Sequence, residues 1–381
     1  MRRAALALLA AATAGCGSVM PRIKKDPSKR IERVFLSVEV KSPIALDKQV
    51  MAWGHPGMFG PWGRYWAPGE TPASFVSLTK ATFNDLGYEL VASTNFIPAN
   101  LVLSAEILDA NFAGVPMVVT HSNRRLTIRW KLRSLVDGEL GAWTLTKGHI
   151  SQHVFGDMAL AGPFMVSITT LASNHDFTRL LKEKGGPVSW KPLVIRGIKA
   201  SKAATVPEAI QSVVGVDDSG NQSSAVIIST DCQALSSYHG ISNSTGPIPV
   251  QIAGKTHRAT LIRANPAYDL ALLRVESASC MPIPIAREEP QIGGEVYAVG
   301  NPLGLEGNVT RGIVGSRKDI DGMRFLFHDA AINPGSSGGA LLDHDKALIG
   351  INVRKLVGLG IEGLSMAVPI ATAEKALALK F

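Results

Sequence analysis

The chain has 381 residues, which is more than one compact core usually holds, so we expect two domains. Its composition, 46% hydrophobic and 18% charged, supports real cores and excludes a disordered chain. The net charge of +8 is unevenly distributed, because residues 17–199 carry +8 and residues 200–381 carry −2, while Arg2 and Arg3 supply the remaining +2.

The first 15 residues have the layout of an export signal. Arg2 and Arg3 precede an apolar run from Ala4 to Ala14, and small residues follow. The run is too short to span a bilayer as a mature helix. We therefore expect residues 1–15 to be a signal peptide and the protein to leave the cytoplasm.

The stretch TAGC, residues 13–16, resembles a bacterial lipobox, in which the cysteine receives lipid and becomes the mature N-terminus. Thr13 stands where leucine is usual. Ordinary cleavage after ATA would instead leave a soluble protein that begins at Gly15. Because Cys16 falls at the end of the apolar run, we favour lipidation at Cys16 and a membrane anchor there.

The three cysteines are too few for a disulfide scaffold, and none forms the close pairs that zinc sites use. Two states are open for Cys232 and Cys280 in an oxidising compartment. They form either a disulfide bridge or two separate buried thiols.

Residues 30–186 are predicted to form an α+β module. Thr71 and Pro72 begin a helix that Gly87 ends. A second helix is expected from about Pro163 to Lys184, before a linker at residues 187–203. Alternating apolar residues predict strands in RVFLSVEV, ANLVLSAEILDANF, RRLTIRWKLRSL and GAWTLTKGHIS.

One of these strands carries a basic stripe. Its apolar residues alternate with cationic ones, so that the two sets face opposite sides of the sheet. The stripe is suited to anionic lipid headgroups or cell-wall polymer, although a solvated outer face is the more common explanation. Its members are Arg125, Arg129, Lys131 and Arg133.

Residues 204–381 are predicted to form an all-β domain. Short apolar strands recur at close spacing with turn residues between them, and only the last dozen residues have a helical pattern. Two small barrels fit this length.

Three polar residues at strand ends predict a nucleophilic triad. A serine hydroxyl is a weak nucleophile and needs an imidazole to take its proton, with a carboxylate to hold the ring. His239 opens a turn, Asp269 begins the apolar strand DLALLRV, and Ser337 lies among glycines in PGSSGG. The order His, Asp, Ser is one of the orders known for this triad.

Residues 206–379 resemble the trypsin-like serine proteases, and most closely their HtrA branch. The segments that carry the resemblance are LSSYHGIS, NPAYDLALLRV, VYAVGNPLGLEGNVTRGIVG and AINPGSSGGALLDHDKALIGIN. The resemblance implies two six-stranded barrels with the catalytic site between them. The expected fold class is thus a multidomain chain, an α+β module followed by an all-β trypsin-like double β-barrel.

The resemblance also assigns roles within the serine segment. The family pattern Gly, variable, Ser, Gly, Gly places the nucleophile at Ser337 and makes Ser336 the variable residue. It implies an oxyanion hole formed by the N–H groups of Gly335 and Ser337. The pocket for the side chain before the cut is expected at Ala331 and Ile332.

The sequence also departs from that branch. Tyr238 precedes the histidine where the branch has asparagine or a small residue, which places a bulky side chain near the cleft. The chain is expected to lack the PDZ domains that are common in the branch.

We therefore expect a serine endopeptidase of the bacterial cell envelope, lipid-anchored or periplasmic, that acts on protein or peptide substrates. It needs no metal or organic cofactor, and nucleic acid is excluded as a partner by the export. The competing interpretation is a binding or assembly lipoprotein with an inactive protease-like scaffold, against which an intact triad argues.

Overall fold

The computed structural model describes residues 32–41, 72–94, 96–113, 122–151, 161–199, 204–218, 220–244, 246–277, 279–301, 307–320, 322–358 and 361–381. The predicted signal peptide and Cys16 lie outside them. The chain divides into two compact units. The first contains the described residues up to Ala92 together with Ala99–Gly186, and the second contains Ser93–Pro98 and Pro187–Phe381.

A four-stranded sheet covered by helices forms the first unit. The sheet has the order β2-β6-β7-β8, with β2 parallel to β6 and the other neighbours antiparallel. This is the mixed α and β architecture that the sequence predicts. In chain order the elements of residues 32–184 are β1 (Glu32–Val34), β2 (Leu36–Lys41), α1 (Pro72–Asp85), β3 (Tyr88–Leu90), β4 (Ser93–Thr94), β5 (Ile97–Pro98), β6 (Leu101–Ala113), β7 (Ser122–Ser134), β8 (Gly138–Ser151), α2 (Ala161–Ala172) and α3 (His175–Lys184).

The core of the first unit follows the period-two pattern of β7. Leu126, Ile128, Trp130 and Leu132 are all fully buried, and each such side chain contributes about 1.5–3 kcal/mol to folding. The indole N–H of Trp130 donates to Ser167 Oγ of α2 at 2.8 Å, so its only polar atom is satisfied inside the core. Among the described residues, no helix combines the length and apolar composition that a membrane span requires.

The prediction of a single helix from Pro163 to Lys184 is wrong, because the structure has two helices there. Asn174 begins the second one, and its side chain accepts a hydrogen bond from the N–H of Phe177 at 3.0 Å. An asparagine at this position caps a new helix by satisfying an N–H that would otherwise have no partner.

Two closed six-stranded barrels form most of the second unit, as the sequence predicts. The strand orders are β10-β11-β12-β15-β14-β13 and β16-β17-β18-β21-β20-β19. Its elements after residue 187 are β9 (Leu193–Val194), α4 (Val206–Ser212), β10 (Val213–Asp218), β11 (Asn221–Ile227), β12 (Gln233–Ser237), β13 (Ile248–Ile252), β14 (Lys255–Asn265), β15 (Leu270–Val275), β16 (Glu295–Gly300), β17 (Asn308–Ile320), β18 (Met323–His328), β19 (Ala340–Leu342), β20 (Leu348–Gly358), β21 (Ile361–Pro369), α5 (Ile370–Ala376) and β22 (Leu379–Lys380).

A disulfide joins Cys232 and Cys280 in this unit. It connects the residue before β12 to the segment that follows β15, which are neighbouring strands of the first barrel. Of the two states that the sequence leaves open for these cysteines, the structure has the bridge.

Candidate active site

The pairing of β12 with β15 brings His239 and Asp269 to the same end of the first barrel. The two strands are antiparallel, and Ser237 at the end of β12 is paired with Leu270 at the start of β15. His239 lies two residues beyond the first strand, and Asp269 lies one residue before the second. Residues 30 positions apart in the sequence therefore meet at one barrel edge.

Asp269 holds the turn that carries His239 through three hydrogen bonds. Its Oδ2 lies 2.6 Å from His239 Nδ1, its Oδ1 accepts from the N–H of His239 at 2.8 Å, and its carbonyl accepts from the N–H of Tyr238 at 3.1 Å. A carboxylate at Nδ1 assigns the proton to that nitrogen, which leaves the lone pair on Nε2. The imidazole is accessible from solvent, since the side chain of His239 is 48% exposed, whereas that of Asp269 is only 21% exposed.

A tight turn sets the position of Asp269. Within it Tyr268 N–H donates to Asn265 O and Asp269 N–H donates to Pro266 O, and Asp269 itself has φ 55°. Aspartate is among the few residues that adopt this left-handed conformation at modest cost. The carboxylate therefore occupies a position that the backbone of the turn fixes.

The short hairpin of β4 and β5, which precedes both barrels in the sequence, contacts this turn. The ring of Phe96 stacks on Tyr268 with centroids 5.3 Å apart, and the Phe96 carbonyl accepts from Asn265 Nδ2 at 3.0 Å. Phe96, Asn265 and Tyr268 were not predicted to contribute to the site. The only local signal was the Asn-Pro pair before Asp269, which is typical of a turn.

Ser337 lies in the loop between β18 and β19, between two glycines with left-handed backbone. Gly335 has φ 97° and Gly338 has φ 82°. A Cβ on Gly338 would lie 2.1 Å from Ser224 O and 2.7 Å from Ser237 N, so the loop packs directly on the strand that leads to His239. Only glycine allows so close an approach.

The two adjacent serines are placed differently. Ser336 is 7% exposed, and its hydroxyl accepts from the N–H of Asn333 at 3.4 Å within its own loop. Ser337 is only partly buried. The structure thus turns the hydroxyl of Ser336 into the loop and leaves Ser337 accessible.

The two amides expected to form the oxyanion hole have no hydrogen-bond acceptor among the described residues. Neither Gly335 N nor Ser337 N donates there, whereas the neighbouring Ser336, Gly338 and Gly339 all donate through their N–H groups. The carbonyl of Ser336 accepts from Gly339, and a trans peptide therefore directs the N–H of Ser337 to the opposite side. The role of these two N–H groups as an oxyanion hole stays a prediction.

Residues 223–351 match the family described as "Trypsin-like peptidase domain". They include His239, Asp269 and Ser337. This part of the chain resembles the trypsin-like peptidases.

The chain is also similar to several serine endoproteases. A "Probable periplasmic serine endoprotease DegP-like" of Chlamydia muridarum is 31% identical over 159 residues, which is 40% of this chain and 32% of the relative. The "Serine endoprotease DegS" of Haemophilus influenzae is 28% identical over 233 residues, 58% of this chain and 67% of the relative. The crystal structure of the serine endoprotease from Yersinia pestis is 34% identical, with a TM-score of 0.41, and the match covers 45% of this chain and 65% of that one. The chain thus spans about a third of the length of the DegP-like relative.

The other histidines of residues 223–351 lie in different environments. His328 is fully buried with Nε2 3.0 Å from Asn352 Oδ1, and desolvation lowers its pKa to about 4. His257 lies on β14, where Nδ1 is 3.2 Å from the carbonyl of Glu276, and His344 is exposed in a turn. None of these three contacts Asp269.

The residues predicted to line the pocket have unequal exposure. Ala331 is exposed and its carbonyl accepts from Thr310 Oγ1 at 2.7 Å, whereas Ile332 is 3% exposed and belongs to the apolar cluster of the second barrel. Their role as a pocket stays a prediction. Tyr238 is 2% exposed, so its side chain packs inside the domain and does not crowd the surface of the cleft, contrary to the expectation from the sequence.

The basic stripe lies on the face of the sheet opposite the core of the first unit. Arg125 is exposed, and Arg129 and Lys131 both approach Glu106 Oε2 of β6, at 3.5 Å and 3.9 Å. A carboxylate on the neighbouring strand therefore offsets part of the stripe's charge. Binding of an anionic surface by these residues and Arg133 stays a prediction.

Proposed function

We propose that this chain is an exported serine endopeptidase, in which Ser337 is the nucleophile, His239 the general base and acid, and Asp269 the residue that orients the imidazole. The observation that supports this proposal most is that the Asp269 carboxylate makes two hydrogen bonds to His239, one at the ring nitrogen Nδ1 and one at the backbone N–H. These contacts fix both the tautomer of the ring and the backbone of His239. Such an arrangement is suited to a base that takes a proton at Nε2.

The reaction follows from these roles. His239 Nε2 takes the proton of the Ser337 hydroxyl as Oγ attacks the peptide carbonyl, and the N–H groups of Gly335 and Ser337 stabilise the oxyanion. His239 then gives the proton to the leaving amine, and the C–N bond breaks. Water then attacks the acyl-enzyme as His239 takes its proton, the ester C–O bond breaks, and His239 returns the proton to Ser337 Oγ as the carboxylic acid product leaves.

Unfolded envelope proteins are the proposed substrates, in a role in protein quality control. The relatives that carry "periplasmic" in their names support this compartment, as does the predicted export signal. His239 is exposed and Ser337 is partly exposed, on loops at the ends of barrel strands, where an extended peptide has access.

Cleavage after aliphatic residues is the first expected result. Neither Ala331 nor Ile332 supplies a carboxylate, and burying an unpaired lysine or arginine there would cost several kcal/mol. An aliphatic side chain gains about 1–3 kcal/mol from burial. New termini in a denatured substrate protein, determined by mass spectrometry, should therefore follow Val, Ala, Ile or Leu.

The Ser337→Ala protein serves as the matched control for this digestion and should produce none of these termini. A majority of cuts after lysine or arginine would refute the pocket assignment. Absence of any cut by the wild-type protein would favour the inactive scaffold of a binding lipoprotein.

Lipidation of Cys16 is the second expected result. Expressed with its signal in a bacterial host, the protein should fractionate with membranes and incorporate labelled fatty acid, because the acyl chains add apolar surface that partitions into the bilayer. Cys16→Ser should lose the label. An unmodified mature N-terminus at Gly15 would show that ordinary cleavage occurs instead.

Salt-sensitive binding to acidic vesicles is the third expected result. The Cys16→Ser protein should bind vesicles of anionic phospholipid through the basic stripe, and added salt should weaken the binding because exposed charges are screened. Replacing Arg125, Arg129, Lys131 and Arg133 with glutamine should remove it in a sedimentation assay. Equal binding to neutral vesicles, or none to acidic ones, would assign the stripe to a solvated face.

A further inference from the structure

Ser224 of β11 lies where the first barrel meets the loop of Ser337. It is fully buried. Its Oγ donates to the carbonyl of Gly335 at 2.7 Å and accepts from the N–H of Asn301 at 2.9 Å, and both of these residues belong to the second barrel's part of the chain. One hydroxyl of the first barrel therefore joins two backbone groups of the second.

The backbone of Ser224 holds the same loop at another point. Its N–H donates to the carbonyl of Ser337 at 2.8 Å. The carbonyls on both sides of Ser336 are therefore fixed by one residue, one through its side chain and the other through its main chain.

This fixation bears on the direction of the Gly335 amide. The N–H and C=O of one residue are related only by its φ and ψ, so a carbonyl held in place restricts where the N–H points. Gly335 has no Cβ and rotates easily, and its own N–H has no acceptor among the described residues. The Ser224 hydroxyl thus restrains this glycine from its carbonyl side, together with the N–H of Ser336 in the same peptide, which donates to the carbonyl of Asn333 at 2.9 Å.

We propose that Ser224 is a positioning residue for the oxyanion hole, which it holds in shape by binding the Gly335 carbonyl across the two barrels. The inference rests on the proposed function, because an oxyanion hole matters only if Ser337 acts as a nucleophile. Removing the hydroxyl leaves the carbonyl of Gly335 and the N–H of Asn301 without their partner. The loop then samples arrangements in which the Gly335 amide no longer faces the oxyanion.

The test compares Ser224→Ala with Ser229→Ala in the full-length protein. Ser229 is also fully buried, and its hydroxyl forms hydrogen bonds only with Gln233 among the described residues. Ser229→Ala therefore removes a buried serine hydroxyl that makes no hydrogen bond to the Ser337 loop. Loss of one oxyanion donor lowers kcat by about 10²–10³-fold, and we expect about 10–10²-fold for Ser224→Ala because the donor is displaced but still present. KM for a chromogenic aliphatic peptide should change little, since the hole acts on the transition state.

Two further measurements separate positioning from mere loss of stability. The affinity of a peptide boronate, which forms a tetrahedral adduct on serine, should fall by the same factor as kcat in Ser224→Ala. Ser224→Thr, which keeps the hydroxyl, should recover part of both. A rise in KM alone, equal losses in Ser224→Ala and Ser229→Ala, or boronate affinity unchanged in Ser224→Ala would overturn the inference.

Labelling by a fluorophosphonate distinguishes this inference from the function on which it rests. Wild-type labelling at Ser337 with an equal rate in Ser224→Ala would overturn the role of Ser224 alone. Absence of labelling in the wild type would overturn the proposed function and the inference with it.

Discussion

Replacing Ser337 with alanine is expected to abolish labelling by a fluorophosphonate probe and to lower peptide hydrolysis by about 10⁶-fold. The probe forms a covalent bond to an activated hydroxyl, and the accessible serine of the loop is the one whose loss removes that bond. Mass spectrometry of the labelled peptide identifies the modified residue. The rate of hydrolysis of an aliphatic peptide substrate gives the second readout.

Ser336→Ala is the matched control for this result. The change is the same and the position is adjacent, but the Ser336 hydroxyl is buried and accepts from Asn333. We expect this variant to keep most of the labelling. Labelling that survives in Ser337→Ala would exclude it as the nucleophile, and loss in Ser336→Ala with retention in Ser337→Ala would exchange their roles.

The strands of the second unit are predictable because local patterns determine them. LALLRV is a short apolar run that follows turn residues, and the structure has β15 at Leu270–Val275. The pairing of His239 with Asp269 is also predictable in kind, since a base at a strand end needs a carboxylate at a neighbouring end. The distance between their side chains depends on the register of Ser237 with Leu270, which no local pattern specifies.

Contacts between distant parts of the chain were not predictable. Phe96 bonds Asn265 across 169 residues, and Ser224 bonds Gly335 across 111. Each pair consists of residues that are ordinary in their own segments, a phenylalanine in a short hairpin and a serine in an apolar strand. Their importance arises from tertiary packing, which the sequence expresses only through the whole fold.

Replacing Asp269 with asparagine is expected to lower kcat by about 10⁴-fold while the protein stays folded. The amide keeps the size of the carboxylate, and its oxygen can still accept from the N–H of His239. Its NH₂ group, however, faces Nδ1 as a donor and favours the tautomer that carries the proton on Nε2. That nitrogen then has no lone pair with which to take the proton of the nucleophile. Steady-state kinetics on an aliphatic peptide substrate measures the loss.

Asp218→Asn is the control for Asp269→Asn. It shows whether the loss of kcat is specific to the carboxylate at His239 Nδ1 or follows the replacement of another carboxylate close to the same loop. Asp218 is fully buried and accepts from the N–H of Asn243 at 2.6 Å, in the loop that follows His239. Its replacement changes a buried carboxylate and should reduce stability more than turnover, because Asp269 is the carboxylate at Nδ1 of His239. If Asp269→Asn retained activity within about tenfold of the wild type, Asp269 would not be the residue that orients the base. If both variants lost kcat equally, the carboxylates would act on the fold of the loop, and the assignment of Asp269 to the triad would be wrong.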